Sequence, residues 1–162
     1  MHMAREDYGA QGHRMAGPVT QVATELGAKS ILDYGCGKAT LAPAITGFTV
    51  LNYDPARPDF DAPPHPADLV ACLDVLEHIE PEFLDNVLDD IKRLAIKGVF
   101  LTIATRPATK VLPDGRNAHL IQQPLQWWMP KIWDRWELNT FHANELGFSL
   151  FATVPVPRPQ AS

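Results

Sequence analysis

Residues 31–39, with the sequence Ile-Leu-Asp-Tyr-Gly-Cys-Gly-Lys-Ala, constrain the fold of this 162-residue chain more than any other segment. Its apolar start predicts the end of a buried strand, and a turn containing Gly35 and Gly37 follows. Residues 39–46 are compatible with a helix. A strand, a glycine turn and a helix N-terminus place bare backbone N–H groups at the carboxyl edge of a sheet, where a Cβ atom would block a ligand. Alone, this pattern is also typical of an ordinary tight turn.

A second strand is predicted over residues 48–53, and an acidic residue, Asp54, ends it. An acid at the tip of the strand after a glycine turn is positioned to accept hydrogen bonds from the two hydroxyls of a ribose. The alternative is that Asp54 and Pro55 simply open a turn. That alternative does not explain the spacing from the glycines.

A third apolar run of strand length, residues 69–73, ends in the polar cluster Asp74, Glu77 and His78. A neutral imidazole just beyond a strand end can act as a general base or hydrogen-bond a substrate. The alternative is that Glu77 and His78 cap the following helix and pack beneath a ligand.

Together the three segments resemble class I S-adenosylmethionine-dependent methyltransferases. Asp33-Tyr-Gly-Cys-Gly37 matches the glycine motif of that class, Asn52-Tyr-Asp54 its ribose-binding acid, and residues 74–81 its motif after the next strand. The likeness is weaker over residues 98–154. A nicotinamide fingerprint would need a third glycine at position 40, where Thr40 stands.

The resemblance implies an α/β fold: a Rossmann-like, mostly parallel sheet between helices in three αβα layers, with an antiparallel closing strand. Residues 55–66 contain five prolines and leave no room for the helix and strand that the full fold has there. We therefore expect a shortened member that lacks one edge strand, and this puts the usual adenine-binding side chain in doubt. Phe60 and its acidic neighbours either cover the adenine instead or form an exposed loop. Residues 1–154 are expected to form one domain, followed by a disordered proline-rich tail over 155–162.

Elsewhere the periodicity predicts further elements. Helices are expected over 18–26, over 81–95 with Gly98 ending the helix, and over 124–136 with an interruption at Pro130. Strands are expected at about 30–34, 68–73 and 99–104. A closing hairpin is expected from 138–142 and 149–155.

The composition excludes some classes of function. The formal net charge of −5 argues against extensive, sequence-independent binding to nucleic acid. Cys36 and Cys72 have neither metal-ligand spacing nor a disulfide framework, so we expect both to be buried in a reduced, cytoplasmic protein. No apolar stretch approaches membrane-spanning length, and no signal-peptide pattern is present.

By resemblance, the cofactor is S-adenosylmethionine. The glycines would approach its methionine part and Asp54 its ribose, while Asp33 would orient the glycine turn or reach the amino group. The full set of residues expected to bind the cofactor is Asp33, Gly35, Cys36, Gly37, Asp54, Pro55, Leu73 and Asp74.

The acceptor is expected beside residues 105–122, where an otherwise acidic chain gathers cations. We assign Arg106, Arg116 and Asn117 to acceptor binding and His78 and His119 to catalysis. This arrangement favours a polar or anionic small molecule, although a nucleic-acid end stays open. The alternatives are a solvated loop and a non-catalytic cofactor-binding partner subunit. The oligomeric state is not predicted.

A metal-dependent alternative rests on Asp74, Glu77, His78 and His119. This set resembles the metal ligands of small-RNA 3′-terminal 2′-O-methyltransferases, with Asp74 in place of a glutamate. Only His119 adds information to a pattern that the superfamily shares. We expect a metal-free site in which His119 lines the acceptor pocket beside Arg116.

Overall fold

The computed structural model describes residues 11–157, without the side chain of Gln11. The polar segment 1–10 and residues 158–162 of the expected tail lie outside the described residues. Along the chain the elements are α1 (Gln11–Leu26), β1 (Ser30–Tyr34), β2 (Thr49–Tyr53), β3 (Ala67–Leu73), α2 (Leu84–Leu94), β4 (Ala95–Ala104), α3 (Leu125–Trp133), β5 (Glu137–Ala143) and β6 (Gly147–Thr153). Short 3₁₀ turns occupy Ala42–Ala44, Leu76–His78 and Pro81–Phe83.

The six strands form one sheet in the order β2-β1-β3-β4-β6-β5. The first four pair in parallel, and β6 joins β4 antiparallel and carries β5 at the far edge. Because the parallel strands share a direction, the residues that follow β1, β2, β3 and β4 meet at one edge of the sheet, called the carboxyl edge below. The expected mostly parallel sheet with an antiparallel closing strand is confirmed.

The proline-rich segment 55–66 contains turns and no helix or strand, as its composition predicts. Proline supplies no backbone N–H for a sheet ladder, so β2 remains the edge strand on this side. The expected loss of one edge strand therefore agrees with the structure.

Helices cover both faces of the sheet. On one face, Val19, Val22 and Ala23 of α1 pack against Ile31 and Leu69. On the other face, α2 and α3 cover the larger of the two clusters of buried apolar residues. The buried residues of α2 are Leu84, Leu88, Ile91 and Leu94, a spacing that places them on one side of the helix. No helix among residues 11–157 is both long and apolar enough to cross a membrane.

The helix predicted over residues 39–46 is wrong: only the turn Ala42–Ala44 is present. Pro43 has no N–H for an α-helical hydrogen bond and disfavours helical backbone at the residue before it. Ala39 is also in the left-handed region, with φ of 55°. The glycine turn is therefore not followed by a helix N-terminus. Instead the first turn of α1 packs there, since a Cβ atom on Gly12 would lie 2.6 Å from the backbone nitrogen of Leu41.

Three other helix boundaries differ from expectation. Helix α1 begins before Pro18 and contains it, and α3 runs through Pro130 rather than breaking there. Helix α2 ends at Leu94, and the chain enters β4 at once. Gly98 lies inside β4, where a Cβ atom would come within 2.7 Å of the carbonyl oxygen of Ala152. Gly98 therefore allows β4 and β6 to pack closely, and it does not end α2.

Candidate active site

The glycine turn after β1 is held by the end of β2. The amides of Gly35 and Cys36 donate to the carbonyl oxygen of Tyr53, at 2.7 and 2.9 Å. Gly35 has φ of 80°, and a Cβ atom there would lie 2.5 Å from Cγ2 of Val75. Glycine is thus required both by the backbone conformation and by the close approach of the segment after β3. This packing brings the first and third sequence motifs together.

Asp54 links the glycine turn to the proline-rich segment. Its Oδ2 accepts from the amide of Gly37 and its Oδ1 from the amide of Ala56, both at 2.9 Å. The amide of Asp54 donates to the carbonyl oxygen of Phe60, so the segment folds back over the end of β2. Each carboxylate oxygen keeps further acceptor capacity. Pro55, which follows, is exposed.

Asp33 lies at the base of the turn with a side chain that is 3% exposed. Burial, and to a smaller extent the charge of Asp54, raises the pKa of its carboxyl from 3.8 to about 7. Cys36 and Cys72 are both buried and free, as expected. Burial also raises the pKa of the Cys36 thiol to about 12, so it is a thiol at neutral pH.

Asp74 follows the buried Leu73 and adopts left-handed backbone, with φ of 55°. Thr102 of the neighbouring strand β4 holds it there. The Thr102 hydroxyl donates to Oδ1 of Asp74 and accepts from the Asp74 amide, both at 2.9 Å. Thr102 was not among the predicted site residues, although a polar residue inside an otherwise apolar strand is a signal for such a role.

Glu77 is completely buried, with an exposed fraction of 0%. Among the described residues, neither of its carboxylate oxygens has a hydrogen-bond partner. Burial, followed by the charge of Asp74, raises the pKa of Glu77 from 4.5 to about 8; the nearby amides of Glu77 and Ala104 offset only part of this. The sequence predicts Glu77 only as a helix cap or as a ligand in the metal alternative, because nothing local in the sequence predicts its full burial.

The two histidines assigned to catalysis lie side by side. The ring centroids of His78 and His119 are 4.8 Å apart, and the ring planes are nearly perpendicular. Nδ1 of His78 lies 2.9 Å from the carbonyl oxygen of Ala118, and Nδ1 of His119 lies 2.6 Å from that of Arg106. Burial, together with the charge of His119, lowers the pKa of His78. Glu77 completes the cluster: one potential ligand atom of each residue lies within 4.8 Å of the others.

The loop between β4 and α3 positions His119. The Asn117 carboxamide is used internally: its oxygen accepts from the amides of Ala108 and His119, and its nitrogen donates to the carbonyl oxygen of Ala108. Arg116 makes a two-pronged contact with Glu80, at 2.9 and 3.0 Å, and a further one with Asp114 at 2.8 Å. The side chain of Arg106 is exposed. The cationic character expected of this loop is therefore offset in part by acidic partners.

A sequence profile described as a methyltransferase domain matches residues 4–147. The chain belongs to this methyltransferase family. No curated protein sequence matches it significantly. The class I fold agrees with the glycine turn, the acid after β2 and the motif after β3.

Solved structures share the fold at low identity. Magnesium protoporphyrin IX methyltransferase from Synechocystis, solved with bound S-adenosylhomocysteine, aligns with a TM-score of 0.65 at 16% identity, over 96% of this chain and 89% of that one. An O-methyltransferase family protein from Burkholderia thailandensis aligns at 0.59 and 15%, over 93% and 59%. The mitomycin 7-O-methyltransferase aligns at 0.64 and 11%, over 94% and 57%.

Proposed function

We propose that this methyltransferase binds S-adenosylmethionine across the ends of β1, β2 and β3 and methylates a small polar acceptor held beside His78 and His119. The observation that carries the proposal is the meeting of the three motifs at one edge of the sheet. Gly37 contacts Asp54, and Gly35 packs on the segment that leads to Glu77 and His78.

The residues at this edge fit the cofactor. Gly37 presents backbone without a side chain, and Gly35 lets the turn close against Val75 beneath it. Asp54 has acceptor capacity for hydroxyl groups, and the buried Asp33 offers a carboxyl to a cationic amino group. An ammonium group would favour the ionised form of Asp33 and offset the cost of its burial. Phe60, whose carbonyl holds the Asp54 amide, is the proposed cover for the adenine. Cys36, Pro55, Leu73 and Asp74 are proposed to complete the pocket.

The imidazoles of His78 and His119 are the groups proposed to contact the methyl acceptor. S-adenosylmethionine brings an activated methyl group, so the protein needs to position the acceptor, exclude water and receive a proton. A carbonyl oxygen only accepts hydrogen bonds, so Nδ1 of His78 and of His119 carries the proton, and each Nε2 carries a lone pair. Both lone pairs can accept a hydrogen bond from a hydroxyl or amine acceptor.

The charge distribution bears on the class of acceptor. Because Arg116 is already paired with two carboxylates, it contributes little net positive charge to the site. We therefore favour a neutral polar or singly anionic small molecule over a polyphosphate. The RNA 3′-end alternative gains from the meeting of Glu77, His78 and His119, but Asp74 is bonded to Thr102 instead of joining them. The net charge of −5 also opposes an extended RNA contact.

A crystal structure with S-adenosylhomocysteine tests the placement, and a turnover assay tests the activity. The ribose is expected at Asp54 and the amino group at Asp33. Turnover would be followed as S-adenosylhomocysteine release with small hydroxyl, amine and carboxylate acceptors and with a short RNA. His78→Ala should abolish acceptor-dependent release while His65→Ala, an exposed histidine in the proline-rich segment, retains it. Cofactor bound elsewhere would refute the proposal, and binding without turnover would favour the partner-subunit alternative.

A further inference from the structure

Three potential metal ligands meet beyond the end of β3: the carboxylate of Glu77 and the imidazoles of His78 and His119. One donor atom of each lies within 4.8 Å of the other two. Glu77 and His78 come from one 3₁₀ turn, whereas His119 arrives from the loop after β4. The group is therefore created by the tertiary fold and not by a local repeat of acidic residues.

Glu77 is fully buried, and among the described residues neither carboxylate oxygen receives a hydrogen bond. The backbone amides of Glu77 and Ala104 lie near the carboxylate but offset only part of the pKa increase that burial causes. Buried carboxylates in folded proteins are normally paired, hydrogen-bonded or bound to a metal, because an unsatisfied one is destabilising. A buried carboxylate beside two imidazoles thus points to a cationic ligand.

The two histidines are oriented as metal ligands usually are. Each uses Nδ1 to donate to a backbone carbonyl oxygen, of Ala118 for His78 and of Arg106 for His119. Such a bond fixes the tautomer and the ring orientation. The ring planes are nearly perpendicular, and one nitrogen of each ring lies within 4.8 Å of the other and of a Glu77 carboxylate oxygen.

We propose that Glu77, His78 and His119 bind a divalent transition-metal ion, with Zn²⁺ the best match. Two imidazole nitrogens and one carboxylate form the three-ligand set of zinc sites that keep a position open for a further oxygen donor. With bonds of about 2.0–2.2 Å, tetrahedral donor atoms lie about 3.4 Å apart, so the widest separation must shorten by about 1.4 Å. Arg106 lies in the same loop as His119, so a small shift of this loop can provide the movement while the Nδ1 bond is kept. The proposal reverses the sequence-based expectation of a metal-free site. The ion would use the same two Nε2 lone pairs that the proposed acceptor would contact, so a bound ion and an acceptor held directly by the imidazoles exclude each other.

The direct test is metal binding by the full chain after chelator treatment and dialysis. Zn²⁺ would be titrated by calorimetry, and Co²⁺ would be followed by its visible absorption, which reports coordination by nitrogen and oxygen. We expect one ion per chain. Losing an outer-shell partner typically weakens metal binding by about 10–100-fold, so losing a ligand in Glu77→Gln or His119→Ala should weaken it by at least about 100-fold. His142→Ala, an exposed histidine on β5, is the matched control and should bind like wild type.

The variants Glu77→Gln and His119→Ala show whether a bound ion is held at the proposed site. Glu77→Gln preserves the shape of the side chain and resembles its protonated form, so it is expected to fold, and circular dichroism would verify this for every sample. Absence of stoichiometric binding in the wild type would overturn the proposal. Equal binding by wild type, Glu77→Gln and His119→Ala would do so too, since the ion would then be held elsewhere. S-adenosylhomocysteine binding, measured on the same samples, reports separately on the proposed function.

Discussion

The half of the molecule built from α2, β4 and β6 differs sharply from the carboxyl edge of β1, β2 and β3. In the first region β4 and β6 pair without interruption from Gly98 to Ala104, and α2 buries four aliphatic side chains. At the carboxyl edge, Asp33 and Glu77 are buried with raised pKa values, and Ala39 and Asp74 hold left-handed backbone. The contrast indicates that the first region stabilises the fold. The second contains buried carboxyls and left-handed backbone that lower stability, a combination typical of a binding site.

The largest effect is expected in the stabilising half. Leu88, fully buried on α2, contacts the core beneath β3 and β4. Leu88→Ala should lower the free energy of unfolding by about 2–5 kcal/mol, because it removes buried methyl groups and leaves a cavity. Urea unfolding measures this, with the exposed Lys92→Ala on the same helix as control. A loss below about 1 kcal/mol would mean that this region is not the core of the fold.

Gly35→Ala is the sharpest change at the carboxyl edge. The new Cβ atom would meet Val75 at 2.5 Å and would sit on backbone with φ of 80°. We expect a loss of about 2–4 kcal/mol, from overpacking and left-handed backbone together. Gly115→Ala is the control: it has φ of 90° but open space, so it should lose only about 1–2 kcal/mol. Equal losses in thermal or urea unfolding would contradict the close packing at Gly35.

Asp33→Asn should stabilise the protein and weaken its function. Because folding raises the pKa of this carboxyl from 3.8 to about 7, the folded state binds the extra proton between those values, and its stability falls as pH rises through that window. Replacement by Asn should therefore increase the free energy of unfolding by about 2–3 kcal/mol at pH 8 and change little at pH 4. Urea unfolding at both pH values, with exposed Asp59→Asn as control, checks this. Destabilisation at pH 8 would show that the ionised Asp33 is well satisfied.

Thr102→Val tests how Asp74 is held. The substitution keeps the shape of the side chain and removes the hydroxyl that donates to Oδ1 and accepts from the Asp74 amide. The amide retains the carbonyl oxygen of Thr102 at 3.0 Å, so the expected loss is only about 1–2 kcal/mol. Thr49→Val, an exposed threonine on β2, should be neutral. If Thr102→Val were equally neutral in urea unfolding, Asp74 would be held by its backbone alone.

The sequence predicted the strands well because their signal is local. The apolar runs ending at Tyr34, Tyr53 and Leu73 match β1, β2 and β3 to within a residue, and the prolines of 55–66 correctly excluded a strand. The helix predicted over 39–46 does not form because the segment contains Pro43. That proline removes a donor in the middle of a segment too short to tolerate the loss.

The candidate site was predicted only in part, for a physical reason. The residues after each strand could be placed at the carboxyl edge, because parallel strands fix where their ends lie. His119 lies beside the buried Glu77 because Asn117 holds the long loop after β4. The conformation of such a loop cannot be predicted from the periodicity of apolar residues. The pairing of Arg116 with Glu80 was missed for the same reason, because Glu80 lies in a different segment.

The most direct test of the account is calorimetric titration with S-adenosylhomocysteine and, separately, with NAD. The wild type should bind the thioether with a micromolar dissociation constant, about −8 kcal/mol, and should not bind NAD. Asp54→Ala should weaken binding by roughly 1–3 kcal/mol, while Asp134→Ala, an exposed acid after α3, should leave it unchanged. Binding of NAD without the thioether, or thioether binding that ignores Asp54→Ala, would contradict the assignment of the carboxyl edge as the cofactor site.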